Sequence, residues 1–151
     1  SEMLNKKWFG CGSTPVDIEK KIDHFLKKGY SIFVGTDSKV YSDCTKFVTI
    51  VGLRNTQTKN GVVVYRTTEK ITKFLSLHDR LFSEVMKSIN TAQEIKEKYE
   101  VTCSVHIDVN PDENYKSNKF YDELTGLVKG CDFPVAAKHN SWAADIADMY
   151  T

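Results

Sequence analysis

"SIFVGTDSKV", residues 31–40, is the stretch on which the fold turns. Ile32, Phe33 and Val34 form an apolar run suited to a strand entering a core, and the run stops on Gly35-Thr36-Asp37-Ser38. A carboxylate where a buried strand ends is costly unless it is paired or bound to a cation. Asp37 is therefore either a turn residue or one arm of a site whose other arms lie elsewhere in the chain.

Working outward, Thr14-Pro15 reads as an N-cap followed by proline at the first helical position. Ile18, Ile22, Phe25 and Leu26 give that helix one apolar face, and Gly29 stops it. After the strand at 31–37, "TKFVTIVGLR" (45–54) and "GVVVYRTTEK" (61–70) are rich in β-branched residues and read as two more strands, with Asn60-Gly61 marking a hairpin. A long helix is expected over 76–99, its buried stripe being Leu77, Leu81, Val85, Ile89, Ala92 and Tyr99. "VTCSVHIDV" (101–109) is a strand. Lys116-Ser117-Asn118 opens a helix carrying Phe120, Leu124, Leu127 and Val128 and ending at Gly130. "FPVAAKH" (133–139) is a short strand, and Asn140-Ser141 caps a last helix with Trp142, Ile146 and Met149 inward.

Strands alternating with helices after a hairpin imply a mixed sheet covered by helices. Right-handed crossovers should set the strand at 101–109 parallel to that at 31–37. Asp37 and Asp108 would then meet at the carboxyl edge of the sheet, where open α/β sheets bind ligands.

The chain has 151 residues, 40% hydrophobic and 27% charged, which suits one domain spanning 1–151 with residues 1–30 as a helical extension. A net charge of +1 gives no global basic field, so a polyanion would have to bind at a local patch. No apolar run is long enough for a membrane span, and "SEMLNKKW" lacks the apolar core of a signal peptide. Cys11, Cys44, Cys103 and Cys131 form no Cys-x-x-Cys pair, so they read as free, buried thiols of a cytoplasmic protein rather than zinc ligands.

Strand alternation puts Ser104, His106 and Asp108 on one face. In the long helix, at about 100° per residue, Glu84 falls at the margin of the apolar stripe, whereas Asp79, Glu94 and Glu97 point away. In "SWAADIADMY", Asp145 flanks the Trp142/Ile146/Met149 stripe and Asp148 points further off. Taken alone, each signal is weak: Asp37 could be a turn residue, Glu84 a boundary residue reaching water, and Asp145 and above all Asp148 part of a solvated helix face. A solvated face at Asp108 is the less favoured reading, because helices should cover both faces of its strand. Together, Asp37, Glu84, Asp108 and Asp145 would repel one another at neutral pH unless cations lay between them. Four such groups suit a pair of Mg²⁺ or Mn²⁺ ions, which can activate a water and orient a phosphodiester.

With these motifs in this order, residues 31–151 resemble the ribonuclease H-like superfamily, and more closely the bacterial YkuK-like family of predicted ribonuclease H-like proteins. The resemblance is carried by "VGTDSKV", "RLFSEVMKSI", "HIDVN", "YKSNKFYDELTGLVKG" and "SWAADIAD". It implies a five-stranded sheet of order 3-2-1-4-5 with the second strand antiparallel. It implies Asp37, Glu84 and Asp108 as the first three metal ligands. The fourth is an acid following an alanine, and both Ala144-Asp145 and Ala147-Asp148 qualify; the helical-face argument favours Asp145. The resemblance also makes His139 the candidate for the proton-shuttling histidine found before the last helix in some members, against the plainer reading of a surface loop histidine. Position 39 is a lysine, not the second acid of proofreading-type exonucleases, and no long basic insertion is present to grip a hybrid duplex.

The function expected is therefore metal-dependent hydrolysis of nucleic acid, whether RNA, DNA or hybrid. Phosphate contacts would come from Lys39, Lys116, Ser117, Asn118, Lys119 and Lys138, the serine and asparagine through a helix N-terminus. The alternative is a non-catalytic module on the same fold that binds nucleic acid or protein; four acids would repel a polyanion there unless metal were present. An actin-like nucleotide hydrolase is excluded by the lack of Gly-rich phosphate loops and of a duplicated domain.

Overall fold

The computed structural model describes residues 2–58, 61–109 and 115–137. In chain order these form strands β1 (Trp8–Phe9) and β2 (Pro15–Val16), helix α1 (Ile18–Lys27), and strands β3 (Ser31–Val40), β4 (Thr45–Arg54) and β5 (Val62–Ile71). Helix α2 (Leu77–Tyr99), strand β6 (Ser104–His106), a 3-10 turn (Lys116–Phe120), helix α3 (Tyr121–Gly130) and strand β7 (Val135–Ala136) follow.

The sheet order is β2-β1-β5-β4-β3-β6-β7. Its last five members reproduce the expected 3-2-1-4-5 order. β4 runs antiparallel to β3 and β5, while β6 and β7 are parallel additions beside β3. Among the described residues the sheet has seven strands rather than the five expected, because β1 and β2 extend the edge beyond β5 through the pairing of Phe9 with Arg66. Trp8 is fully buried and its indole N–H donates to the Met3 carbonyl at 2.9 Å. The Glu94 carboxylate accepts from the Met3 and Leu4 N–H groups, and Arg66 donates to the Gly10 carbonyl. These anchors come from residues far away in the chain, which is why local pattern does not announce the edge strands.

Pro15 is likewise not the first residue of α1. It pairs with Phe9 on the outermost strand, where a residue without an N–H is tolerated. The cap is Asp17, whose side chain accepts from the Lys20 N–H at 3.2 Å. Ile18 and Ile22 of α1 are buried as expected, and Gly29 takes φ +80 just beyond the helix, a conformation that favours glycine. Ser76 caps α2 by accepting from the Asp79 N–H, and Glu100 closes it in the left-handed conformation. At the far end of α3, Gly130 remains within the helix and Asp132 takes the left-handed position.

One apolar core holds the fold together. It packs Ile18 and Ile22 of α1, Leu81, Val85, Ile89 and Ile95 of α2, and Leu124 and Val128 of α3. Against them lie Ile32 and Val34 of β3, Val51 and Leu53 of β4, and Val105 of β6, which continues into Ile107. A fully buried aliphatic side chain contributes roughly 1.5–3 kcal/mol, so this layer sets the position of α2 over β3. Of the cysteines, only Cys103 is buried; Cys11 is exposed and Cys44 and Cys131 are half-buried, which corrects the expectation of buried thiols throughout. Among the described residues, no helix is long and apolar enough to cross a membrane.

Candidate carboxylate site

β3 and β6 pair in parallel with Phe33 opposite Ser104 and Gly35 opposite His106. Carried two residues further, the same offset sets Asp37 level with Asp108. Both line a cleft of about 380 Å³ together with Leu77, Arg80, Leu81 and Glu84 of α2 and Tyr115, Lys116 and Ser117. Three of the four expected acids thus share one cleft.

Asp37 is 6% exposed and Glu84 4%, while Asp108 is half-buried. The helical-face reading of α2 holds: Glu84 faces the sheet, Asp79 and Glu97 are exposed, and Glu94 is engaged by the N-terminal backbone. Ser38 Oγ donates to Glu84 Oε2. Arg80, one turn earlier on α2, donates to Ser38 Oγ at 3.1 Å and reaches the Ser38 carbonyl at 3.3 Å. Burial pushes the Glu84 carboxyl well above the ordinary carboxylate range, and the nearby charge of Asp37 and then of Asp108 adds to the push. The Ser38 hydrogen bond and the Arg80 guanidinium pull the other way.

A second layer of polar groups supports these. Thr36 Oγ1 is 2.7 Å from Ser88 Oγ and 3.0 Å from Thr49 Oγ1, and all three hydroxyls are buried. Thr49 in turn pairs with Thr67, whose hydroxyl donates to the Lys7 carbonyl at 2.8 Å. His106 is 2% exposed and packs edge-on against the Phe33 ring at 4.8 Å. Burial lowers its pKa to about 4, so the imidazole is neutral at neutral pH. The face carrying Ser104, His106 and Asp108 is therefore covered at His106.

Lys116 and Ser117 line the cleft from the 3-10 turn. Asn118 lies in the same turn but does not line it, and Lys119 is exposed with its ammonium 4.9 Å from the Phe120 ring. The turn is held against α2 by His78, whose Nε2 is 2.8 Å from Glu123 and whose ring packs 4.9 Å from Phe120. Lys39 is exposed, one residue beyond Ser38, with its ammonium 5.6 Å from the Tyr41 ring. Asp145, Asp148, His139 and Lys138 lie outside the described residues.

Arg80, Ser38, His78 and Tyr115 were not anticipated. The signal for Arg80 was available in its spacing: it stands four residues before Glu84, so the two share a helix face. Tyr115 and His78 carried no such signal.

The donors are all carboxylate oxygens, which in kind fit hard divalent cations such as Mg²⁺ or Mn²⁺. Among the described residues, however, no three His, Cys, Asp or Glu side chains are gathered closely enough to hold a metal ion. A family model described as ribonuclease H-like matches residues 15–151. The chain belongs to the ribonuclease H-like family. No curated protein matches it. The family match begins at Pro15, so it takes in β2 and α1 but leaves β1 outside. In this ribonuclease H-like chain the cleft lies where the parallel strands β3 and β6 end, under the second turn of α2.

Proposed function

We propose that the chain hydrolyses phosphodiester bonds of nucleic acid at the carboxylate cleft, with two Mg²⁺ or Mn²⁺ ions. The observation that carries this reading is the shared cleft of Asp37, Glu84 and Asp108, rimmed by Arg80 and Lys116. Acids at the floor suit cations, and bases at the rim suit the phosphates that the cations would bring. Asp37, Glu84 and Asp108 would hold the ions, with Asp145 as fourth ligand, Asp148 its alternative, and His139 as proton shuttle. When bound, such a pair supplies an activated water and offsets charge on the leaving oxygen.

The chain's own groups have separate tasks in this reading. Ser38 and Arg80 hold the Glu84 carboxylate in one orientation. Lys116, Ser117, Lys39 and Lys138 contact phosphate. Because Glu84 binds a proton more readily than a free glutamate, protons compete with cations for it, and acid should weaken loading. The YkuK-like subgroup is our finer placement and rests on the order of the motifs.

The test is cleavage of labelled RNA, DNA and hybrid oligonucleotides with Mg²⁺, Mn²⁺ or chelator. Asp37→Asn and Asp108→Asn should each abolish cleavage while the circular dichroism stays native. Asp145→Asn should cost far more activity than Asp148→Asn. The alternative is a binding module without catalysis on the same fold. Metal-independent binding, with no cleavage of any substrate by the wild type, would select it.

A further inference from the structure

Outside the carboxylate cleft, the register of the hairpin strands contains an electrostatic anomaly. β3, β4 and β5 pair over ten consecutive residues without a bulge. Lys39 stands opposite Lys46, and Lys46 opposite Lys70. Directly paired residues share a sheet face on strands about 4.8 Å apart, and like charges so placed destabilise a sheet. The neighbouring row is built differently. There Glu69 takes the Lys87 ammonium at 2.6 Å and the Lys6 ammonium at 3.6 Å. Among the described residues, neither Lys39 nor Lys70 has a carboxylate within ion-pair distance.

We infer that this lysine row, with Tyr41, is a docking track for a single-stranded stretch of nucleic acid running into the carboxylate cleft. The inference rests on the phosphodiester reading for its ligand and extends it to a second surface. Lys46 and Lys70 line a separate cleft of about 490 Å³ with Tyr41, Asp43, Cys44 and Thr72. Lys39 reaches the same place from the other side, its ammonium 5.6 Å from the Tyr41 ring. Tyr41 is 38% exposed at the hairpin turn, which the Tyr41 N–H closes by donating to the Cys44 carbonyl at 2.7 Å. Of the cleft's own charged residues, Lys46 and Lys70 outnumber Asp43, and Lys39 adds a third ammonium beside Tyr41.

The row is also aligned with the site. Asp37 is two residues from Lys39 on an unbroken strand, so both belong to one face, about 7 Å apart along it. A backbone lying across Lys70, Lys46 and Lys39 therefore arrives beside Asp37. An exposed ring among lysines is the arrangement that binds single strands: ammonium groups take the phosphates and the ring stacks on an unpaired base.

The experiment measures binding of a short labelled single strand, and of its duplex, by fluorescence anisotropy in chelator, where cleavage cannot interfere. Salt is varied between about 50 and 200 mM. Single-strand binding loses about 0.7 in the log–log salt slope per phosphate contact. A Lys39→Gln/Lys46→Gln/Lys70→Gln variant should therefore have a slope shallower by about 2, so the wild type loses roughly 20-fold more affinity across that range. The corresponding triple arginine variant should keep the wild-type slope. Tyr41→Ala should weaken the single strand about fivefold or more and leave the duplex nearly unchanged. The glutamine variant should melt at or above the wild-type temperature, because opposed like charges have been removed. An unchanged slope, equal competition by polyglutamate, or a lower melting temperature accompanying the lost affinity would each overturn the track. Absence of cleavage with the slope effect intact would instead count against the nuclease reading alone.

Discussion

Replacing Glu84 with glutamine should stabilise the protein at neutral pH while abolishing the metal-dependent cleavage proposed for it. The glutamine side chain has nearly the same shape, and its amide oxygen can still accept from Ser38 Oγ. What disappears is a charge buried to 4% exposure and pushed upward first by burial, then by Asp37 and Asp108. Because the folded-state pKa lies above the ordinary 4.5, the carboxyl's contribution is fully present below about 4.5 and is lost as pH rises through the folded value. Each unit of such a difference corresponds to about 1.4 kcal/mol. The attraction of Arg80 and the charge-assisted part of the Ser38 bond are lost as well, so the net gain should be modest. We expect a gain on the order of 1 kcal/mol near pH 7.5, the scale on which replacing a buried charge by a neutral side chain of the same shape changes stability, or roughly 2–4 °C in Tm for a chain of this length. The assay is urea unfolding followed by circular dichroism, in chelator, for wild type and Glu84→Gln over pH 4 to 8. The gap between the two should open as pH rises and close near pH 4. A variant less stable than wild type at pH 7.5, or a gap independent of pH, would refute the account of Glu84 as a charge held against its preference.

Mn²⁺ or Mg²⁺ at about 100 times its Kd should stabilise the wild type by roughly 2.7 kcal/mol, because it binds only the folded state; scanning calorimetry should show no such shift for Asp37→Asn or Asp108→Asn, and equal shifts in all three would mean non-specific binding. Thr36→Val leaves the buried hydroxyls of Ser88 and Thr49 short of a partner and should cost about 2 kcal/mol in urea unfolding; an unchanged midpoint would show that the hydroxyl row is dispensable. His106 is held neutral with a pKa of about 4 against an ordinary 6.5, so the unfolded chain takes up a proton that the folded chain does not. Stability should fall by about 3 kcal/mol as pH drops from 6.5 to 4, and His106→Leu should remove that part of the acid sensitivity; an unaltered acid limb in the variant would contradict it.

Strand periodicity alone placed β3, β4 and β5, because alternating β-branched runs bounded by turn residues have few other solutions. The apolar stripe of α2 likewise singled out Glu84 as the buried acid facing the sheet, since only one acid of that helix lies at the stripe's margin. Handedness of the crossover was enough to set β6 parallel to β3, and the pairing of Gly35 with His106, carried two residues further, sets Asp37 level with Asp108. Other features depend on contacts between distant parts of the chain. β1 is only two residues long, Trp8 and Phe9, too short to show a period; it is held as a strand by the burial of Trp8, the Phe9–Arg66 pairing and the Glu94 contacts to the segment before it. Pro15 reads from sequence as a helix start, and only its pairing with Phe9 places it on an edge strand. Arg80 became part of the site only when α2 was laid across β3, so that its guanidinium met Ser38. The opposed lysines are likewise invisible in one dimension, where Lys39, Lys46 and Lys70 are three scattered surface residues. Local sequence determines which way each side chain faces along its own element; which charge it then meets is set by how the elements pair and pack.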